Sequence, residues 1–385
     1  MRTKRVSTGW GKWKISPYGL SLTEANSSRS PVDEIWSELY LIKRDWGVFK
    51  EILKRHHAVS KHNKSSWGCF GAYLEQARNY FRQAQKTEGI LSSLFYYYCF
   101  LNLSKACLFI RNPKLQINYH HGLVSDKSSI NQNKLGQFIL GIRKGVFKDW
   151  YYLLTKHQIS EYTKFKIIDL FSYASDTVYQ LESGGFGQRN IFHCKARLLV
   201  NTSRTPHEFW LDILLPRSVN FNQINVYYPA FSKRFEELNI SSNDRDWVKE
   251  VFQIEPWDFP AFTILESRKV FQGPNIIFDD LNKFLFKNLK NLFSEETVQS
   301  GFDMFFCNPV KDLNGSYYPM NEPIGIYMNM FFWGSMVRYH PETLMALGKG
   351  KEMWIIEDFI DSTAHRFIRF TRNYIFQQAF RIGIA

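Results

Sequence analysis

The sequence is poor in the features that would tie it to export, membranes, metals or covalent catalysis. Only five cysteines occur in 385 residues (Cys69, Cys99, Cys107, Cys194 and Cys307), an odd set with no CxxC pair. That excludes the disulfide framework of a small secreted domain and reads as buried free thiols in a reducing compartment. No apolar run reaches the roughly 20 residues of a membrane span. The longest, residues 94–110, contains Asn102, Ser104 and Lys105, so a central buried helix is expected and a membrane partner is not. The first residues, MRTKRVSTGWGKWK, are basic and lack the apolar stretch of a secretory signal. HExxH, a GxSxG elbow and the GK[ST] ending of a phosphate loop are all missing; Gly184-Gly185-Phe186-Gly187 follows a helical pattern and reads as a helix end. His56-His57 with His62, and His193-Cys194, lack convergent ligand spacing, so neither metal nor cofactor is expected.

Acidic residues are outnumbered. The 36 Asp and Glu stand against 49 Lys and Arg, a formal charge of +13, and residues 1–64 hold 13 basic against 6 acidic side chains. This favours an anionic partner, nucleic acid or an acidic protein, over a cationic one; the competing reading is a solubilising face. Aromatics are plentiful, with 34 Phe, 20 Tyr and 11 Trp. Each ring can bury about 150–250 Å², so a Phe-rich interior is expected, with stacking platforms for bases as the functional alternative.

Residues 1–31, rich in Gly, Ser and basic side chains, read as an irregular arm. Over 35–56 the apolar residues Ile35, Trp36, Leu39, Ile42, Trp46, Phe49, Ile52 and Leu53 recur at threes and fours, the period of one helix. Lys43, Arg44, Lys50 and Lys54 fall opposite and Arg55 ends the run, giving a candidate nucleic-acid-binding face. Phe70, Tyr73, Leu74, Ala77, Phe81 and Ala84 repeat the spacing. A third helix, 88–110, is apolar on nearly every side and must be enclosed, so 32–111 should form an antiparallel bundle around it. Residues 112–150 show no sustained period, and 160–182 read as helix. Short apolar or alternating runs at 191–200, 208–215, 248–254, 261–270 and 302–307, separated by Pro, Asn and Gly, predict an antiparallel sheet. Helix returns over 323–337 and 351–380, with a turn at Tyr339-His340-Pro341. The expected fold is α+β and mostly helical: an irregular arm (1–31), an N-terminal helical bundle (32–185), a β-rich region (186–310) and C-terminal helices packed back on the bundle (311–385).

Three polar constellations are candidates for chemistry. Arg55 and His62, at the end of the basic helix, have the Arg/His spacing that some helical-bundle ribonucleases use, the imidazole as acid or base and the guanidinium on phosphate. Arg189 and His193 form a tighter version. His120-His121-Gly122-Leu123 is a compact turn whose histidine either acts chemically or meets a helix-terminal carbonyl. In Arg338-Tyr339-His340-Pro341-Glu342, Arg338 is expected to pair with Glu342 or another acid in the interior.

Residues 94–110 (LFYYYCFLNLSKACLFI), His121-Gly122-Leu123, and the block 323–344 carrying Val-Arg-Tyr-His-Pro-Glu resemble the YaaC-like family of bacterial proteins. That family shows an LYYxxLNLxKA helix, an HGL turn and an RYxPE junction; the likeness covers about 36–380, resting on element order alone between 130 and 300. It implies an intracellular, cytoplasmic bacterial protein acting beside unrelated partners, and it brings no established activity or catalytic residues. Asn102, Lys105, His121, Arg338 and Glu342 match the family pattern and are the candidates for a shared polar site. The expected function is binding or scaffolding, in association with nucleic acid, within a bacterial multi-gene system such as phage defence, as a homo-oligomer or with other proteins of the system. The alternative is a metal-independent, HEPN-type ribonuclease using Arg55 and His62.

Overall fold

A computed structural model describes residues 13–15, 31–59, 63–113, 120–131, 134–174, 177–186, 190–201, 207–217, 219, 226, 233–238, 262–268, 271–273, 293–298, 301–348, 350 and 352–377. In chain order the elements used below are β1 (Trp13–Ile15), α1 (Pro31–Arg44), α2 (Trp46–Arg55), α3 (Asn63–Ala84), α4 (Ser92–Arg111), β2 (Leu123–Ser125), β3 (Ile139–Ile142), α5 (Val146–Thr155), β4 (Lys164–Lys166) and α6 (Ile167–Phe171). There follow β5 (Ile191–Asn201), β6 (His207–Pro216), β7 (Phe235–Glu237), β8 (Phe262–Ser267), β9 (Phe271–Gly273), β10 (Phe293–Val298) and β11 (Gly301–Cys307). The chain closes with α7 (Glu322–Tyr339), α8 (Pro341–Leu347) and α9 (Met353–Phe376). The fold is α+β and mostly helical. Two compact units share the chain: Asn26–Ile191 with Pro309–Gln378, and Met1–Ala25 with Phe192–Asn308 and Ala379–Ala385.

The first unit is built around α4. Its apolar sequence leaves Leu94, Phe95, Tyr98 and Lys105 half-exposed and the terminal Arg111 exposed, and neighbours cover the rest. Burying apolar area at about 25 cal/mol per Å² makes this enclosure the main stabilising term. Trp36 of α1 meets Phe81 of α3 at 5.6 Å between ring centroids, and Phe81 meets Tyr96 of α4 at 5.9 Å. One turn further along α4, Phe100 stacks on Phe367 of α9 at 4.1 Å, and Trp150 of α5 touches both Phe367 (5.5 Å) and Tyr327 of α7 (5.1 Å). The C-terminal helices therefore complete the bundle begun by the N-terminal ones. Gly334 lets α7 approach α4, since a Cβ there would lie 3.2 Å from the Leu94 Cα. The helix Gly89–Arg111 is long and apolar enough to cross a membrane, yet 72% of its apolar window is buried inside the protein, the state of a core helix.

The continuous helix expected over 35–56 is two helices. Asp45 leaves helical geometry (φ −117°, ψ 109°), and its carboxylate accepts from Gly47 N at 2.7 Å and Val48 N at 3.2 Å, so it caps α2 while the apolar period runs on undisturbed. The helix expected over 160–182 is also broken. Residues 164–166 pair with β3 as the edge of a small β2–β3–β4 antiparallel sheet, α6 follows, and a short helix occupies Val178–Ser183. Gly185 (φ +79°) ends that helix, with Phe186 N donating to Leu181 O, as the Gly-Gly pair predicts.

The second unit is a sheet ordered β10-β11-β5-β6-β8-β7, with β1 on β5 and β9 on β6. The runs expected at 191–200, 208–215, 261–270 and 302–307 all contain strands, and 248–254 lies outside the described residues. Within the expected irregular arm, Trp13–Ile15 pairs antiparallel with β5, Trp13 opposite Asn201. Four of the five thiols are buried as expected; Cys69, on α3, is exposed.

Candidate functional site

The basic face is carried by the end of α1, by α2 and by the start of α3. Arg44, Lys50, Lys54, Arg55 and Lys64 are exposed, and Lys43 is half-exposed. Two of these cations are engaged by acids: Lys43 Nζ lies 2.6 Å from Glu75 and Lys54 Nζ 2.5 Å from Glu51. Lys54 also holds the Glu51 carboxyl below its usual pKa. Arg55 donates to Phe376 O at 3.3 Å, capping the last turn of α9, next to His56, whose Nε2 meets Ile375 O at 2.9 Å. The Arg111 guanidinium in turn donates to the His56 carbonyl. The C-termini of α2, α4 and α9 thus meet, with guanidinium groups on free carbonyls of α2 and α9, where the helix dipole favours them. His62 and Arg189 lie outside the described residues. Between Arg44 and Lys64, Trp46 and Trp67 pair at 5.5 Å and are half-exposed, with Trp67 Nε1 donating to Ile42 O at 3.0 Å.

The polar residues His121, Lys105, Arg338 and Glu342 do not touch one another. Each has its own surroundings. The His121 ring lies on Phe331 (4.8 Å) and edge-on to Tyr97 (6.4 Å), while its Nδ1 accepts from Leu123 N at 3.2 Å. The residue is exposed at its edge, but partial desolvation against these rings, and then the nearby His120, lower its pKa, and an Nδ1 that accepts places the proton of the neutral ring on Nε2. The HGL turn does its main work through backbone. Val146 N donates to His120 O (2.9 Å) and Phe147 N to His121 O (3.0 Å), satisfying the first amides of α5, which has no side-chain cap. This contact requires two glycines: Gly122 (φ +90°) and Gly145 (φ +154°) cross so closely that a Cβ on Gly145 would sit 2.5 Å from Gly122 N.

Arg338 is exposed rather than interior, and its partner is not Glu342. Its Nη1 donates to Tyr98 OH at 2.7 Å, and its guanidinium lies over Tyr339 at 5.0 Å. Glu342 points to solvent, 3.7 Å from His340 Nδ1. Pro341 starts α8 directly after His340, so Arg338 stays on the last turn of α7, which faces α4. Lys105 is half-buried, with its ammonium 5.2 Å from the Tyr73 ring centroid, and burial lowers its pKa. Asn102 is buried and donates to Tyr98 O at 2.8 Å.

Sequence reasoning missed two features. Tyr80 of α3 stacks on Tyr98 at 5.2 Å and 27°, so the residue that receives Arg338 is itself part of an aromatic pair. In the sheet, Asp212 opposes Glu266 and Glu266 opposes Glu236, a row of carboxylates across three strands in which Asp212 and Glu266 are buried. The signal for that row was an acid inside each apolar run, WLDILL and FTILES. No group of three or more His, Cys, Asp or Glu among the described residues is arranged to hold a metal ion.

A family model described as YaaC-like Protein matches residues 37–375, most of the chain. Searches of curated proteins and of solved structures returned no match.

Proposed function

The chain belongs to the YaaC-like protein family, and from that premise we propose that it is a binding protein of the bacterial cytoplasm whose α1–α2–α3 corner engages the backbone of nucleic acid. The observation that carries the reading is the charge of that corner. Residues 43–64 contain seven Lys or Arg and two acids, and both acids are committed, Asp45 to the α2 cap and Glu51 to Lys54. Arg44, Lys50 and Lys64 are exposed, with Lys50 one turn after Trp46 on α2 and Lys64 one turn before Trp67 on α3, so cations accompany the half-exposed ring pair, a mixture that suits a phosphate chain with bases beside it. A binding subunit of this kind fits a multi-protein bacterial assembly such as a phage-defence system, with the catalytic work done by partners. The ribonuclease alternative gains no support: Arg55 donates to the Phe376 carbonyl, and His62 lies outside the described residues.

Titration of the full chain with a labelled duplex of about 20 base pairs tests the reading. Phosphate contacts from Arg44, Lys50 and Lys64 give a slope of log K against log salt near about −2.7, so affinity should fall by about 40-fold between about 50 and 200 mM salt. Absent or salt-independent binding removes the proposal.

A further inference from the structure

The face of α4 between α3 and α7 carries a second, different arrangement of rings and cations. Tyr98 stands at its centre. It stacks on Tyr80 from one side and receives the Arg338 hydrogen bond from the other, and all three side chains reach solvent. Two helical turns along the same face, about 10 Å away, Lys105 lies over Tyr73, which stacks on Phe109 at 5.6 Å and 26°. Asn102 and Leu101, nearly sealed, form the floor between these two groups. The strip holds two cations and no acid: among the described residues neither Lys105 nor Arg338 has a carboxylate partner. The acids nearest along the chain are turned away, Glu75 to Lys43 and Glu342 to His340.

A half-buried ammonium without a counter-charge costs free energy that a ring face returns only in part. Lys105 is in that position, and its lowered pKa reflects it. An anion seated beside Lys105 and Arg338 would offset the cost. The rings between them specify the rest of the ligand: flat, aromatic and repeated. About 10 Å accommodates about three bases at about 3.4 Å per stacked base.

We propose that the Tyr80–Tyr98–Arg338 and Tyr73–Lys105 strip along α4 binds single-stranded nucleic acid, its bases stacked on the Tyr80–Tyr98 pair and its phosphates on Lys105 and Arg338. This deepens the reading given above and rests on it, since it names single strands as the preferred class. The duplex is excluded from the strip because its bases are already stacked and its ring faces are unavailable.

The test is fluorescence anisotropy of the full chain with oligo(dT) and oligo(U) of about 20 nucleotides and with a duplex of equal length. Two strip variants are compared, Lys105→Gln/Arg338→Gln and Tyr80→Ala, against the α2 variant Lys50→Glu/Lys54→Glu. The strip variants should lose about tenfold in affinity for single strands and stay within about twofold of the parent on duplex, while the α2 variant weakens both. Ultraviolet cross-linking of bound oligo(U) should map to Tyr80 or Tyr98. Unchanged single-strand affinity in both strip variants overturns the strip and leaves the basic corner standing. Equal losses on both polymers also overturn it. If the parent binds neither polymer, the reading beneath it fails as well. Lys105 and Arg338 are reached by solvent, so an unfolding midpoint close to that of the parent accompanies a valid result.

Discussion

Replacing Gly145 with alanine should be among the most damaging single-atom additions available to the helical unit. Its backbone (φ +154°, ψ −171°) lies in a region that only glycine occupies without strain, costing another residue about 1–3 kcal/mol. The added Cβ would also overlap the His120 carbonyl, fall 2.5 Å from Gly122 N and 2.7 Å from Gly122 Cα, all of them backbone atoms that cannot rotate aside. Overpacking of that kind costs about 1–3 kcal/mol. The sum, about 2–6 kcal/mol, is a large part of the about 5–15 kcal/mol by which a native fold is stable. At about 2–4 °C per kcal/mol for a body of about 150–250 residues, the melting temperature should fall by roughly 10 °C. Circular dichroism and calorimetry on Gly145→Ala measure it, with Gly136→Ala as control, because a Cβ at Gly136 meets nothing within 4 Å. If Gly145→Ala melts with the parent, the crossing of the HGL turn over α5 is not the constraint described, and the placement of His121 loses its physical basis.

Thiol reactivity should divide the cysteines. In the native protein a disulfide reagent should titrate Cys69 rapidly while Cys99, Cys107, Cys194 and Cys307 react only after denaturation; a fast Cys99 or Cys107 contradicts the packing around α4, and a fast Cys194 or Cys307 the packing of the sheet. Stability should also fall with acid. Partial desolvation lowers the pKa of both His121 and His365 from 6.5 although each keeps an exposed edge, with His120 and Arg369 adding repulsion. The unfolded chain therefore binds these protons more readily; the stabilisation is full above the unfolded value and is lost as pH falls towards the folded one. Urea midpoints should drop between about pH 7.5 and about pH 5.5, and a His121→Asn/His365→Gln variant should flatten the drop. An equally steep decline in that variant contradicts the assignment.

Much of the helical unit is legible in the sequence because α4 and α7 are apolar on almost every face, and such helices have to be enclosed. The strands of the second unit are legible for a related reason, as short apolar runs cut by Pro, Asn and Gly. The breaks are harder to read. Asp45 interrupts the backbone without interrupting the apolar period, and 164–166 becomes strand through pairing with β3, a partner more than twenty residues away in sequence. The polar candidates show the same limit. Arg338 is visible beside Pro341, but the Tyr98 hydroxyl that receives it is 240 residues distant. Gly122 and Gly145 look like two unrelated turn glycines until the chain brings them together. The basic corner is the easiest part to foresee, since charge density is a property of the sequence itself; only the engagement of Lys43, Lys54 and Arg55 by neighbours needed coordinates.

The most direct test of nucleic-acid binding reverses the charge of the corner. Arg44→Glu/Lys50→Glu/Lys54→Glu alters three exposed side chains and no buried contact, so it should stay folded, with a modest loss of stability from the broken Lys54–Glu51 pair and from acids in the last turns of α1 and α2. Its affinity for a duplex at about 50 mM salt should be lower by at least about tenfold, with a shallower salt dependence. A variant that binds as tightly as the parent, with the same salt slope, would contradict the assignment of this face.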